Sequence, residues 1–76
     1  MHLDLRGEVC PYTFVRTKLA LEELADGDEL ILTLDHRPAF TNVPQALVED
    51  GHRVLSIERR AEDRECVVTA RRKTGP

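Results

Sequence analysis

Arg6-Gly7-Glu8-Val9-Cys10-Pro11-Tyr12-Thr13 is the stretch on which the fold turns. Upstream of it, His2/Leu3/Asp4/Leu5/Arg6 alternates polar and apolar residues, the period of a short half-buried strand. Downstream, from 11 to about 25, Phe14, Thr17, Leu21 and Leu24 recur at spacings of three and four. Ala20 and Ala25 fall at the edges of that stripe, and Arg16, Glu22 and Glu23 lie away from it, which predicts an amphipathic helix. Cys10 is therefore predicted at the handover from strand to helix. Gly7 is free to take a positive φ, and Val9 is expected to tuck under the start of the helix. Pro11 suits the first helical position, where its missing N–H would have had no partner. A thiol just before that proline meets unpaired backbone N–H groups and the positive end of the helix dipole. Both favour the thiolate, the nucleophilic form of cysteine.

Working outward, Asp26-Gly27-Asp28 stops the helix, and the mostly apolar run 29–34 reads as a central strand. Strand, helix and strand within so short a span predict a βαβ unit with parallel strands and a right-handed crossover. Residues 35–38 read as a polar loop. A second helix follows over about 39–50 and ends at Gly51, with Phe40, Val43, Leu47 and Val48 as its apolar positions. Pro44 makes its start irregular: either regular helix begins near Asn42, or 39–43 form an offset turn. Strands over 53–59 and 64–72, joined by a turn at 60–63, complete a hairpin. In it Val54/Ser56/Glu58 alternate against Leu55/Ile57, and Cys66/Val68/Ala70 against Val67/Thr69. Residues 74–76 read as a frayed tail. The order β-α-β-α-β-β predicts an α+β domain spanning 1–76, with its core over about 2–72. Its architecture is a two-layer sandwich, a four-stranded mixed sheet with both helices on one face.

Composition narrows the function. Seventy-six residues that are 41% hydrophobic and 33% charged describe a globular chain rather than a disordered one. No window approaches a membrane span, and Met1–Leu5 lacks the basic region and apolar run of a signal peptide, so no membrane insertion and a cytoplasmic location are expected. The net charge of −3 conceals an asymmetry. Residues 1–52 carry four Lys/Arg against ten Asp/Glu, and residues 53–76 carry seven against four. Direct nucleic-acid binding is not expected of such a chain, although its basic end could steer an acidic partner. His2, His36 and His52 are dispersed, and Cys10 and Cys66 do not form a zinc motif, so neither metal nor cofactor is expected. A reducing compartment argues against a structural disulfide.

Cys10 has no Cys-His-Asp companion set, and a domain this small is not expected to hold a deep pocket. That favours a carrier meeting its partners at the surface, with Tyr12 on the docking face, over an enzyme turning over a small substrate alone. Among the cations, Arg6 has the best claim to lie near the thiol; Arg37, Lys18 and His36 are further candidates. Asp4 and Asp35 read as structural, and Cys66, mid-strand beside Val67 and Val68, as a core or sheet-face residue.

Leu5-Arg6-Gly7-x-x-Cys10-Pro11 entering a helix resembles the TusA/SirA-like sulfur-carrier (sulfurtransferase) family. Thr17-Lys18-x-Ala20-Leu21, a strand ending at Asp35, Val43-Pro44 and Gly51-His52-x-Val54-Leu55-Ser56 extend the likeness over about 2–71. The resemblance implies a two-layer sandwich of the kind seen in the C-terminal domain of bacterial translation initiation factor three. It also implies a persulfide carried on Cys10. The sulfur would come from a cysteine desulfurase, a rhodanese-like protein or thiosulfate, and would pass to an acceptor protein in tRNA thiolation, molybdenum-cofactor maturation or sulfur oxidation. Some relatives occur with selenium-related or membrane sulfur-import proteins. A monomer is the simplest such carrier.

The family's usual Cys-Pro-x-Pro is here Cys10-Pro11-Tyr12-Thr13. Thr13 restores a backbone N–H and adds a hydroxyl, both able to donate to a sulfur above the helix end. Arg6, Gly7, Pro11, Tyr12 and Thr13 are thus the residues expected to support the thiolate or persulfide. Two other readings stay open on the residues alone. One is a non-catalytic regulatory or nucleic-acid-associated module using the basic 53–73 region, and the other is a redox switch in which Cys10 and Cys66 pair.

Overall fold

The structure is a computed structural model that describes residues 1–9 and 11–74; Cys10, the predicted nucleophile, lies outside the described residues. Six elements follow in order: β1 (His2–Asp4), α1 (Tyr12–Glu22), β2 (Glu29–Leu34), α2 (Arg37–Glu49), β3 (Arg53–Arg60) and β4 (Glu65–Arg71). They form one sheet in the order β1-β2-β4-β3. β1 pairs parallel with β2, His2 opposite Ile31 and Asp4 opposite Thr33. β4 runs antiparallel to both β2 and β3. This is the α+β, mixed four-stranded arrangement that the order of elements predicts.

The pleat places the core. Leu30, Leu32 and Leu34 of β2 and Cys66, Val68 and Ala70 of β4 are buried, whereas Ile31, Val67 and Thr69 between them are not. Side chains of alternate residues point to opposite faces, so one face is covered and the other is open. The covering residues are Ala20 and Leu21 of α1 and Ala39, Phe40, Val43 and Leu47 of α2, with Leu5 sealing the end of β1.

Several elements depart from the sequence expectation. α1 begins at Tyr12, with Pro11 in the N-cap position at φ −89° and ψ 6°, not at the first helical position. It ends at Glu22, and the N–H groups of Glu23 and Leu24 tighten the last turn by donating to Ala20 and Leu21. The buried side of α1 is Thr13, Thr17, Ala20 and Leu21; Phe14 and Leu24 are half-buried and Ala25 is exposed. Threonine can occupy a core position because the Thr17 hydroxyl donates to the Thr13 carbonyl at 2.7 Å, leaving mostly its methyl to be packed. α2 is continuous from Arg37, with Pro38 in its first turn and Pro44 buried inside it. Pro44 has no N–H to offer the Phe40 carbonyl one turn back. Val48, expected among the apolar positions, faces out.

β3 also differs from simple alternation. Val54 pairs with Ala70 and Ser56 with Thr69, leaving Leu55 as an extra residue in a bulge. A bulge resets the phase of the pleat. Val54, Ile57 and Arg59 therefore share the helix side, where Arg59 lies over the Phe40 ring at 5.1 Å, and Ser56 and Glu58 share the open side. The turn that follows holds Ala61, Glu62 and Asp63 at φ of 52°, 57° and 69°.

The basic end of β4 is built into the fold. Arg72 exchanges backbone hydrogen bonds with the 27–28 turn: its carbonyl accepts from Gly27 and its N–H donates to Asp28. Its guanidinium donates to the Leu24 carbonyl just beyond α1. Lys73 Nζ donates to the Asp50 carbonyl at the end of α2, and the Lys73 N–H donates to His52 Nδ1, both at 3.0 Å. Cations at helix C-termini meet the negative end of each dipole. Arg71 is paired with Glu29 at 3.0 Å. Arg72 and Lys73, which the sequence leaves free to meet an acidic partner, hold the two helix ends, and Arg71 ties β4 to β2.

Candidate functional site

The loop between β1 and α1 is held one amide at a time. Leu5 N–H donates to Thr33 O at 2.8 Å, carrying the parallel pairing one residue past β1. Arg6 N–H donates to Asp4 Oδ1 at 3.0 Å. Gly7 N–H donates to Asp35 Oδ1 at 2.9 Å, and Glu8 N–H to Leu5 O at 3.1 Å. Gly7 sits at φ +88°, where a β-carbon is disfavoured and glycine is not. Asp4 and Asp35 are thus structural, as their isolation in the sequence suggests, and both serve the same loop from its two sides.

Arg6, the cation best placed by sequence, is engaged at this point. Its Nε and Nη2 grip the Asp4 carboxylate at 3.0 and 2.8 Å, and Nη1 lies 3.8 Å from Glu65. The Arg6 side-chain hydrogen bonds, joined by its backbone N–H, lower the Asp4 carboxyl from its ordinary value to about 2. The same hydrogen bond raises the Arg6 pKa. Glu65 opens β4, so Arg6 links β1 to the far hairpin. Asp35, Ala61, Arg64 and Glu65 line a shallow cleft beside this link.

The helix entry has its own wiring. The Val9 carbonyl accepts from both Tyr12 N–H at 2.8 Å and Thr13 N–H at 3.3 Å, and the Pro11 carbonyl accepts from Val15 N–H at 3.1 Å. Val9 is turned so that its carbonyl closes the first turn, and its side chain is about half exposed rather than tucked under the helix. Thr13, expected to offer an N–H and a hydroxyl to the sulfur, has a fully buried side chain and directs its N–H to Val9. Pro11 and Tyr12 are exposed. Glu8 and Arg16 pair at 2.8 Å across the entry.

The remaining candidates separate. His36 is the N-cap residue of α2 and Arg37 its first residue, both on the side where β2 ends. Lys18 lies over the Phe14 ring at 5.7 Å and lines a different cleft with Glu22, His52 and Lys73. Cys66 is fully buried between Leu34 and Arg59, and burial pushes its thiol pKa up against the opposing charge of Arg59. Its reading as a core residue holds. Among the described residues, no cluster of His, Cys, Asp or Glu gathers as metal ligands, and no helix is long and apolar enough to cross a membrane.

Beyond Tyr12, expected on the docking face, an apolar stripe that the core periodicity did not indicate runs along the solvent side of α1. Tyr12, Val15 and Leu19, at intervals of three and four, are exposed, and Val9 precedes them. A second helical periodicity, overlapping the one assigned to the core, was its signal.

Comparison with known proteins places the chain in a family and matches its fold. A family model described as "Sulfurtransferase TusA" matches residues 1–72. A relative from Archaeoglobus fulgidus, named "Putative sulfur carrier protein", is 52% identical over 60 residues, covering 79% of this chain and 68% of its own. A Methanocaldococcus jannaschii relative named in the same terms is 39% identical over 56 residues, covering 74% and 75%. The crystal structure of a SirA-like protein from Desulfitobacterium hafniense superposes with a TM-score of 0.81, at 24% identity, over 97% of this chain and 100% of that one, which shows a shared fold. The chain belongs to the TusA sulfurtransferase family.

Proposed function

We propose that this protein is a sulfur carrier that relays sulfane sulfur between two proteins on Cys10. The Cys10 thiolate attacks the outer sulfur of a donor persulfide, the S–S bond of the donor breaks, and the donor cysteine leaves as its thiolate. Cys10 then holds the sulfur as Cys10–S–SH. An acceptor thiolate attacks that outer sulfur and releases the Cys10 thiolate, so the sulfur moves without net oxidation or reduction. The donor would be a cysteine desulfurase or a rhodanese-like protein, and the pathway one such as tRNA thiolation. The observation that carries this reading is the family match over residues 1–72, with Arg6-Gly7-x-x-Cys10-Pro11 falling on the loop between β1 and α1. Arg6 and Gly7 shape the approach to the thiol, and Pro11, Tyr12 and Thr13 build the turn that follows it. Val9, Tyr12, Val15 and Leu19 provide an exposed apolar surface on which a partner protein can seat.

Mass spectrometry tests the reading after incubation with a desulfurase plus cysteine, or with thiosulfate and a rhodanese. A gain of one sulfur on the peptide containing Cys10 is expected, and none for Cys10→Ser. No adduct from either donor, or equal loading of Cys10→Ser, overturns it.

A further inference from the structure

We infer that Asp35 is a positioning residue for the sulfur-carrying loop, acting through the amide of Gly7. The inference rests on Cys10 being the sulfur-carrying thiol. Four successive N–H groups, from Leu5 to Glu8, have acceptors, and three of those acceptors belong to the strand or the loop pairing itself. Asp35 is different. It lies 28 residues along the chain, immediately after β2, and its Oδ1 reaches back at 2.9 Å to the amide of the residue held at φ +88°. Among the described residues, and leaving aside its two chain neighbours, no atom lies within 4 Å of where a Gly7 β-carbon would stand, so none of them packs against this peptide from the side-chain direction. Its N–H is the handle by which the sheet fixes the loop three residues before Cys10. The acceptor oxygen does this work, not the negative charge. Displacement of a reacting atom by a fraction of an ångström is costly to transfer between two proteins that must meet in one geometry.

The test separates acceptor from charge. Asp35→Asn keeps an oxygen at the same reach and loses the charge; Asp35→Ala loses both; Asp35→Ser keeps a polar group too short to reach. Two readouts are taken on the intact chain. One is the rate of single-sulfur gain on Cys10 from a desulfurase plus cysteine. The other is the pH midpoint of Cys10 alkylation by iodoacetamide, which needs no sulfur donor and is undisturbed by the fully buried Cys66. Asp35→Asn is expected to load within about twofold of the parent, and Asp35→Ala and Asp35→Ser about tenfold more slowly, the scale of one hydrogen bond. The alkylation midpoint should rise in Ala and Ser and not in Asn. Parent-like loading and midpoint in Asp35→Ala overturn the inference, as does an Asn variant as impaired as Ala. Absence of loading in the parent itself overturns the carrier reading instead, and the alkylation midpoints then still decide the role of Asp35.

Discussion

At the scale of single residues, the loop is decided by backbone conformation more than by contact. Gly7→Ala meets no obstacle among the described residues, yet it places a β-carbon at φ +88°, so about 1–2 kcal/mol of stability should be lost in urea unfolding. Thr13→Pro makes a complementary case. The N–H it removes shares the Val9 carbonyl with the shorter bond from Tyr12, and proline is tolerated in a first helical turn. The variant also removes a fully buried hydroxyl, so we expect a loss of about 1–3 kcal/mol, read by thermal unfolding. Gly7 was legible in the sequence because a glycine between a strand and a helix has one main use. Val9 was not, because apolarity argues for burial, and only the closure of the helix entry by its carbonyl turns the side chain outward.

At the scale of elements, α1 carries two apolar faces, and periodicity found the core one, with Thr17 and Leu21 buried and Phe14 and Leu24 half-buried at its edge, but not the outer one. Threonines with satisfied hydroxyls fill two of the buried positions, while Tyr12, Val15 and Leu19 stay in water. Leu19→Ser should therefore leave stability within about 0.5 kcal/mol of the parent. It should still slow sulfur loading by a donor protein, because it removes docking area and not fold. Equal loading at limiting donor would separate this face from the partner surface. α2 was legible except at its start, where Pro38 in the first turn permits the helix that Pro44 seemed to delay. The phase of β3 could not be read from alternation, because one inserted residue, Leu55, reverses every assignment after it.

At the scale of the molecule, strand order and helix ends explain its stability and its response to pH. Leu32 lies at the centre of the covered face, fully buried, and Leu32→Ala should cost about 2–5 kcal/mol in denaturant unfolding. His52 couples the clamp at the other end to protons. Burial first, and Lys73 second, lower its pKa below the ordinary 6.5 against the opposing pull of Asp50, and its Nδ1 must stay unprotonated to accept from Lys73. Below pH 6.5 the unfolded chain binds a proton that the folded chain refuses, so stability falls as pH drops through that range. His52→Asn, which keeps an acceptor without a titrating ring, should flatten that part of the pH–stability curve.

The bulge at Leu55 has a last consequence, for behaviour at high concentration. β3 is an outer strand of the sheet, and a straight outer strand offers its unpaired amides to the next copy as a template for fibril growth. The extra residue bends that template, and Arg53, Arg59 and Arg60 set like charges along it. Deleting Leu55 restores an unbroken ladder. The shortened chain should then scatter light and seed β-rich aggregates at concentrations where the parent stays clear.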